Sequence, residues 1–404
     1  MINIVGGVYQ ENCMHPSWKE TYGSAGRGAS CLAALGTPLT LHSYMNSDTL
    51  ELIRERAALA EKFHVEAVPV VGSISFDYVH SLAVPTIRGV PINPYQSISV
   101  RANNVISYGM LEGNAIVDAT YAVYDPQNAG NPKSFIENGS KAEHLALILN
   151  LGEARLLSKL HEGNAKQCAE SLSRQENAEV VVIKMGPQGA LVWTREKTVQ
   201  IPAFRTSKVW KIGSGDCFVA YFSNAWMHQK KDPVEAARVA SKATAYFSET
   251  QGFADDKQLG TFAPDEIRPT NKYLSGVMPT VYLAGPFFNL QQLWMIDQVR
   301  NNLREMGLKV FSPFHDIGLG SAKDVVQKDL EGIRASDVLF AIADGLDAGT
   351  IYETGYARAL DKRVIVYSEC ESEGALKMLS GSNCSLQGDY ATAIYCTVWE
   401  AMSV

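Results

Sequence analysis

The sequence has few cysteines for its length, and those it has are dispersed. They stand at positions 13, 31, 168, 217, 370, 384 and 396, an odd number with no C-x-x-C pair. That excludes a zinc ribbon and a disulfide framework and points to reduced thiols. No apolar run approaches the roughly 18 residues of a membrane span. Met1–Val8 is too short and too polar-flanked for a signal peptide. Low-complexity tracts are missing as well. Basic residues are outnumbered 36 to 43, for a net charge of −7, so no positive field invites a nucleic acid polymer. These absences lead to the expectation of a cytoplasmic protein that acts on small molecules, with neither a membrane nor a nucleic acid as partner.

What is present is globular: 404 residues, 46% hydrophobic and 20% charged. That is too long for one ordinary core and predicts two domains. Short apolar strands at Ile2–Val5, Leu39–Tyr44, Ala67–Val71, Val105–Tyr108, Ala115–Asp118, Leu145–Leu149, Val180–Lys184 and Ala190–Trp193 alternate with helical stretches, among them Thr49–Phe63. This alternation predicts an α/β fold with a mostly parallel sheet. Residues 73–94 read as an irregular, strand-rich flap. Gln251–Pro279 loses periodicity and collects glycine and proline, a linker composition. From Thr280 the alternation starts afresh, with strands at Thr280–Leu283, Lys309–Ser312 and Arg363–Tyr367. The expected organisation is a first domain over 1–258, a linker over 259–279 and a second domain over 280–404.

In the first part the sharpest local signal is Gly213-Ser214-Gly215-Asp216, followed by the helical run Cys217–His228. Glycines before a helix start allow successive backbone N–H groups to point at one spot, an anion hole at the positive end of the helix dipole. An aspartate in that first turn could take the proton of a hydroxyl attacking a phosphoryl group. The same four residues also suit a plain turn with Asp216 as a helix-start acid.

In the second part three acids cluster around a buried strand. Val338–Ala343 is a continuous apolar run, followed by a Gly/Asp loop and a helix placed near Tyr352. On the preceding helix Ala322, Val326, Leu330 and Ile333 form a stripe at helical spacing, and Asp329 falls inside it. Asp347 lies on the loop and Glu353 in the expected first turn of the next helix. Singly, Asp347 could cap a helix, Glu353 could answer the dipole and Asp329 could be half-exposed. Together, beside the carboxyl end of a strand, they predict a site.

At these residues the chain resembles the nucleoside 2-deoxyribosyltransferase family. The motifs are Tyr282-Leu283-Ala284-Gly285-Pro286-Phe287-Phe288, Asp329-Leu330-x-Gly332-Ile333-x-x-x-Asp337, and Asp347-x-Gly349-x-x-x-Glu353-x-Gly355-Tyr356-Ala357. The resemblance covers about 120 residues and implies a flavodoxin-like, doubly wound parallel sheet. It implies Glu353 as the nucleophile on C1′ of a deoxynucleoside and Tyr282 as the residue orienting it. Asp329 and Asp347 would handle the base and the sugar hydroxyl. Gly285, Pro286, Phe287 and Gly349 would line the substrate, and Asn383 would be lent to a neighbouring subunit's site, which requires a homo-oligomer. No cofactor is expected there. A carboxylate that traps an oxocarbenium-like state while a second acid protonates the leaving base fits these residue types.

The first part resembles the ribokinase (PfkB) family of sugar and nucleoside kinases over roughly residues 1–255, and so implies a ribokinase-like α/β sandwich. The motifs in order are Asn150-x-x-Glu153, Lys184-x-Gly186-x-x-Gly189 and Gly213-Ser214-Gly215-Asp216. The resemblance implies Asp216 as base, Gly213, Ser214 and Gly215 as the anion hole, and Lys184 and Gly186 near ATP. Asn150 and Glu153 would organise phosphate and, indirectly through Glu153, Mg²⁺. ATP and Mg²⁺ are the cofactors implied. The chain departs from the family pattern at Glu11 and Asn12, which stand near the place of a sugar-gripping aspartate. Arg27 stands where asparagine is usual, and Trp210-Lys211 where Asp-Thr is usual. Arg27 and Lys211 could suit an acceptor that already carries phosphate, or be surface charges.

The expected function is cleavage or exchange of the N-glycosidic bond of (deoxy)nucleosides or nucleotides, joined to ATP-dependent phosphorylation of a sugar or nucleoside. Two rivals remain at this point: an NAD glycohydrolase, and a glycosidase regulated by a non-catalytic, nucleotide-sensing kinase-like domain.

Overall fold

The computed structural model describes residues 1–127 and 131–404. They form two compact units, Met1–Thr206 with Trp210–Glu266, and Ser207–Val209 with Ile267–Val404.

The first unit runs β1 (Ile2–Val5), β2 (Gln10–His15), β3 (Trp18–Thr21), α1 (Gly23–Ala34), β4 (Leu39–Met45), α2 (Ser47–Ala58), β5 (Phe63–Pro69), β6 (Ser75–His80) and β7 (Thr86–Arg88). It continues with β8 (Ile98–Tyr108), β9 (Ala115–Asp125), β10 (Lys141–Asn150), α3 (Leu151–Ser158), α4 (Ala165–Glu176), β11 (Val180–Lys184), β12 (Ala190–Thr194) and β13 (Thr198–Ile201). Helices α5 (Ser214–Ser223), α6 (Pro233–Thr250) and α7 (Asp256–Thr261) close it. Nine strands form one sheet in the order β13-β12-β11-β10-β9-β8-β1-β4-β5. It is parallel except where β12 and β13 pair antiparallel at one edge.

The period-two alternation of side chains divides the core between the two faces of that sheet. Ile4, Ile106, Ile148, Val180 and Val182 join α1, α5 and α6 in one cluster. Their neighbours Val5, Val105, Leu147, Leu149, Val181 and Ile183 join α3 and α4 in another. A second sheet, β3-β2-β6-β7, stands apart. The flap expected at 73–94 supplies β6 and β7. Strands β2 and β3 were not expected, because neither carries a continuous apolar run.

One boundary is corrected. The helix expected over Thr49–Phe63 ends at Ala58, and the strand expected at Ala67–Val71 begins at Phe63. Phe63, Val65 and Ala67 alternate with polar neighbours and pair in parallel with β4, from Leu39↔Phe63 to Met45↔Pro69. Sheet pairing therefore overrides the helical reading of 59–63.

The second unit runs α8 (Asn271–Leu274), β14 (Thr280–Ala284), α9 (Leu290–Glu305), β15 (Lys309–Phe311), α10 (Pro313–Asp316), α11 (Ala322–Ala335) and β16 (Val338–Ile342). It then forms α12 (Ala348–Ala359), β17 (Arg363–Tyr367), α13 (Lys377–Gly381), β18 (Ser385–Gln387) and α14 (Tyr390–Met402). The sheet order is β15-β14-β16-β17-β18, parallel throughout. The order reverses beside β14, so the carboxyl ends of β14 and β16 flank the switch point where ligands bind in open α/β sheets. Tyr282, Ala284, Leu339, Ala341, Ile333 and Ala357 share one core cluster beneath it. Within the stretch expected as a linker, α7 and α8 are ordered, each with a side chain capping its first turn. Among the described residues, no helix is long and apolar enough to cross a membrane.

Candidate functional site

In the second unit the strand fixes the site. Tyr282 sits mid-β14, opposite Leu339 of β16 and Phe311 of β15, and is fully buried. Its ring stacks on that of Phe311, centroids 5.5 Å apart at 20°. Tyr282 Oη donates to Glu353 Oε1 at 2.7 Å. Phe311 was missed by sequence reasoning, since an aromatic in a short strand carries no signal beyond core packing.

Helix α12 begins earlier than expected. Asp347 is its N-cap, accepting from Thr350 N at 2.8 Å and from Thr350 Oγ1 at 2.9 Å. Glu353 consequently lies in the second turn, and the expectation that it occupies the first turn is corrected. The dipole is not what holds its charge there. Burial, opposed by the Tyr282 phenol and aided by the nearby charges of Asp329 and Asp347, lifts the Glu353 carboxyl to about 7.

Asp329 lies one turn before Gly332 on α11. A side chain at Gly332 would stand 2.5 Å from the Phe311 ring, so glycine there lets the helix approach the sheet. The expected apolar stripe is only partly core-facing: Ile333 is buried, while Ala322 and Val326 are exposed. Asp329 Oδ1 is buried without a hydrogen-bond partner, and burial raises its carboxyl above the ordinary aspartate range. An acid in that state can carry a proton to a leaving group.

The remaining expected residues have mixed positions. Pro286 is buried, and Gly285 lies close under Ile296 and Ile342. Phe287 meets the Phe314 ring, centroids 5.5 Å apart. Gly349 is exposed at the start of α12, close to Asp347. Asn383 is exposed at φ 62° after α13, and no contact ties it to the acids. Asp337, part of the quoted motif, serves the fold: it accepts from Thr280 N at 2.8 Å. His315 is held between Ser312 and Asp297.

In the first unit Gly213 caps α5 at φ 76°, a backbone conformation glycine adopts without strain. Ser214 and Asp216 follow, both buried in the first turn. Asp216 is not free. Its Oδ2 pairs with Arg27 Nη1 at 2.8 Å, and its Oδ1 accepts from Gln127 Nε2 at 2.6 Å. Arg27 also meets Glu11, Nη2 to Oε2 at 2.5 Å and Nη1 to Oε1 at 3.2 Å. With 1% exposure Arg27 is no surface charge. Burial disfavours its charge, but Glu11 and Asp216 outweigh that and hold the guanidinium above its ordinary range. Asn12 turns to Asp77 at 2.7 Å.

Lys184 pairs with buried Asp125 at 2.7 Å, and a side chain at Gly215 would stand 3.4 Å from its ammonium. Gly186 opens a tight turn at φ 57°. Asn150 and Glu153 form a reciprocal capping box on α3, each bond 2.9 Å. Burial, with Asp125 nearby, lifts Glu153 to about 7. Burial and the neighbouring Lys184 hold Lys211 below its usual range. Two lysines beside a glycine-rich helix start suit a phosphate chain. No group of three or more His, Cys, Asp or Glu side chains among the described residues could hold a metal by itself.

Two family models match the chain. Residues 122–257 match the family model for pfkB family carbohydrate kinases, and residues 281–384 that for nucleoside 2-deoxyribosyltransferase. The chain carries one segment of each family. The chain is 37% identical over 70 residues to a deoxyribokinase of Salmonella typhimurium, a stretch covering 17% of this chain and 22% of that protein. It is 32% identical over 106 residues to a 2-dehydro-3-deoxygalactonokinase of Haloferax volcanii, covering 26% and 31%. The chain thus spans less than a third of the length of these curated relatives. A fructokinase from Vibrio cholerae, solved with fructose, ADP and calcium, superposes with TM-score 0.50 at 13% identity, over 65% of this chain and 99% of that one. That likeness shows the ribokinase-like fold.

Proposed function

We propose that the deoxyribosyltransferase-type unit breaks the N-glycosidic bond of a (deoxy)nucleoside or nucleotide with Glu353 as nucleophile. The observation that carries this reading is the 2.7 Å hydrogen bond from buried Tyr282 to Glu353. It fixes one carboxylate oxygen and leaves the other to meet C1′. As C1′ bonds to Glu353, the C1′–N bond breaks and the departing base takes a proton from Asp329. The partnerless, burial-raised carboxyl of Asp329 suits a donor. Water, or a second base, then releases the sugar. Asp347 sets the start of α12, and its charge adds a little to the burial that keeps Glu353 basic. Asn383 of a second copy completes the site in a homo-oligomer.

The pfkB-type unit, which we place over 1–258 ahead of a linker ending at 279, phosphorylates a sugar or nucleoside hydroxyl with ATP. Lys184, Lys211 and the Gly213–Gly215 backbone hold phosphate, Asn150 and Glu153 shape the nucleotide side, and Asp216 takes the hydroxyl proton. Mg²⁺ brought by ATP would neutralise phosphate charge. The dispersed cysteines, with no C-x-x-C pair, fit a cytoplasmic setting.

The test is incubation of the protein with nucleosides, nucleotides and NAD, with and without ATP, and chromatography of released bases and new phosphates. Release of a base from a nucleoside or nucleotide, lost in Glu353→Ala, supports the reading. Nicotinamide release alone supports the NAD glycohydrolase instead.

A further inference from the structure

Glu11 and Arg27, which form a buried triad with Asp216, have no part in the reaction just described, and Arg27 stands where that reaction needs space. Three observations define it. First, both oxygens of Asp216 are taken, one by Arg27 and one by Gln127. A general base must offer an oxygen to the proton it removes. Second, the guanidinium lies against the first glycine of the anion hole: a Cβ at Gly213 would be 2.0 Å from Arg27 Nε and 2.1 Å from Cζ. The space over that glycine is filled. Third, Arg27 Nε is buried with no hydrogen-bond partner. A buried donor left unmade is costly, so this arrangement is not the best the guanidinium could find.

We propose that Arg27 is a gate on Asp216, closed while no acceptor is bound and moved onto Glu11 when an acceptor hydroxyl arrives. The proposal rests on the phosphoryl-transfer reading of Asp216 given above. Glu11 makes the movement feasible. It already grips Arg27 through both of its carboxylate oxygens, so the arginine leaves Asp216 without becoming an unpaired buried charge. In the open state the acceptor hydroxyl replaces Nη1 at Asp216 Oδ2. Its oxygen bonds to the γ-phosphorus, ADP leaves with the electrons of the broken bond, and Asp216 keeps the hydroxyl proton. Water lacks the contacts to move Arg27, so the closed gate keeps ATP from being hydrolysed without an acceptor. Arg27 is a positioning residue in this scheme, and Glu11 anchors it where a sugar grip was expected.

The experiment measures ADP formed by the full-length protein with ATP and Mg²⁺, alone and with 2-deoxyribose, fructose or deoxyadenosine, with Asp216→Asn as the blank. The double variant Glu11→Gln/Arg27→Asn opens the gate without leaving two buried carboxylates crowded together. It is expected to hydrolyse ATP without acceptor at least tenfold faster than the wild type, with more ADP made per phosphorylated acceptor. Arg27→Lys keeps the buried charge, but one ammonium cannot bridge both acids as the fork does, so it should also raise hydrolysis. Glu11→Gln alone leaves Asp216 as the sole carboxylate partner of Arg27 and should lower transfer. Circular dichroism and thermal melting of the full-length protein report whether each variant is folded. If the wild type phosphorylates an acceptor and neither Arg27 variant raises acceptor-independent hydrolysis, the gate is wrong and the transfer reading stands. If no form turns ATP over faster than the Asp216→Asn blank, the transfer reading falls and the gate falls with it.

Discussion

The phenol of Tyr282, buried in β14 of the second unit, donates to the carboxylate of Glu353 from 71 residues away. A strand side chain and a helix side chain thus share one bond, and the position of that carboxylate is set by the sheet. Removing the carboxylate should remove the chemistry and leave the scaffold. Glu353→Ala is expected to reduce base release by roughly a thousandfold or more, as loss of a nucleophile does. Circular dichroism and the melting temperature should stay near wild type. Persistent release would show that the nucleophile is misassigned.

The two neighbours of Glu353 act on its acidity in opposite directions, and the pH profile should separate them. The Tyr282 hydrogen bond draws the carboxyl down and the Asp329 charge pushes it up. The acid limb of base release should therefore lie near pH 7, with activity rising as Glu353 ionises. Tyr282→Phe should shift that limb to higher pH and Asp329→Asn to lower pH, each with a loss of about 10–10⁴-fold at its optimum. Limbs that stay put, or move together, would contradict the arrangement.

Stability should follow the same group. In the unfolded chain a glutamate ionises near its ordinary 4.5, whereas here Glu353 ionises at about 7. The folded state therefore holds a proton that the unfolded state has lost. The associated stability is present below pH 4.5 and is lost as pH rises through 7. Glu353→Gln should leave stability near wild type at pH 5 and raise it at pH 8 by about 1–3 kcal/mol, discounted for partial solvent access. Urea melts at the two pH values check this.

Gly332 is expected to be intolerant for a geometric reason. A methyl group there would sit 2.5 Å from the ring of Phe311, which in turn stacks on Tyr282. Gly332→Ala should cost about 1–3 kcal/mol by overpacking and lower base release by displacing Asp329 and Tyr282 together. An unchanged denaturation midpoint would refute the contact.

If Asn383 completes the site of another copy, Asn383→Ala and Glu353→Ala should each be inactive alone. Mixing them under conditions that exchange subunits should restore part of the activity, because some sites then receive an intact pair. Light scattering should show an oligomer in both. A monomer with full activity would rule the shared site out.

Much of this was legible in order and spacing. The apolar run at Val338–Ala343 announced a doubly buried strand, and Tyr282, Asp329, Asp347 and Glu353 were placed beside it. Gly213 through Asp216 announced a helix start, which the structure places at Ser214. The start of α12 was misread because the cap depends on where one side chain points. Asp347 folds back onto Thr350, and the helix begins several residues before its apolar face does. Strand β5 was misread because its alternation decides nothing until β4 is present to pair with it.

The sequence by itself determined the two-part α/β plan and the chemical types gathered at each site, since periodicity, glycine placement and residue type are local properties. The tertiary structure alone decided what those groups are able to do. The burial that lifts Glu353 toward neutrality, the missing partner of Asp329, and the closure of Arg27 over Asp216 all depend on distances between segments far apart in the chain. Charge, solvent exclusion and hydrogen bonding act through space, and a linear pattern carries no measure of that space until the sheets have closed.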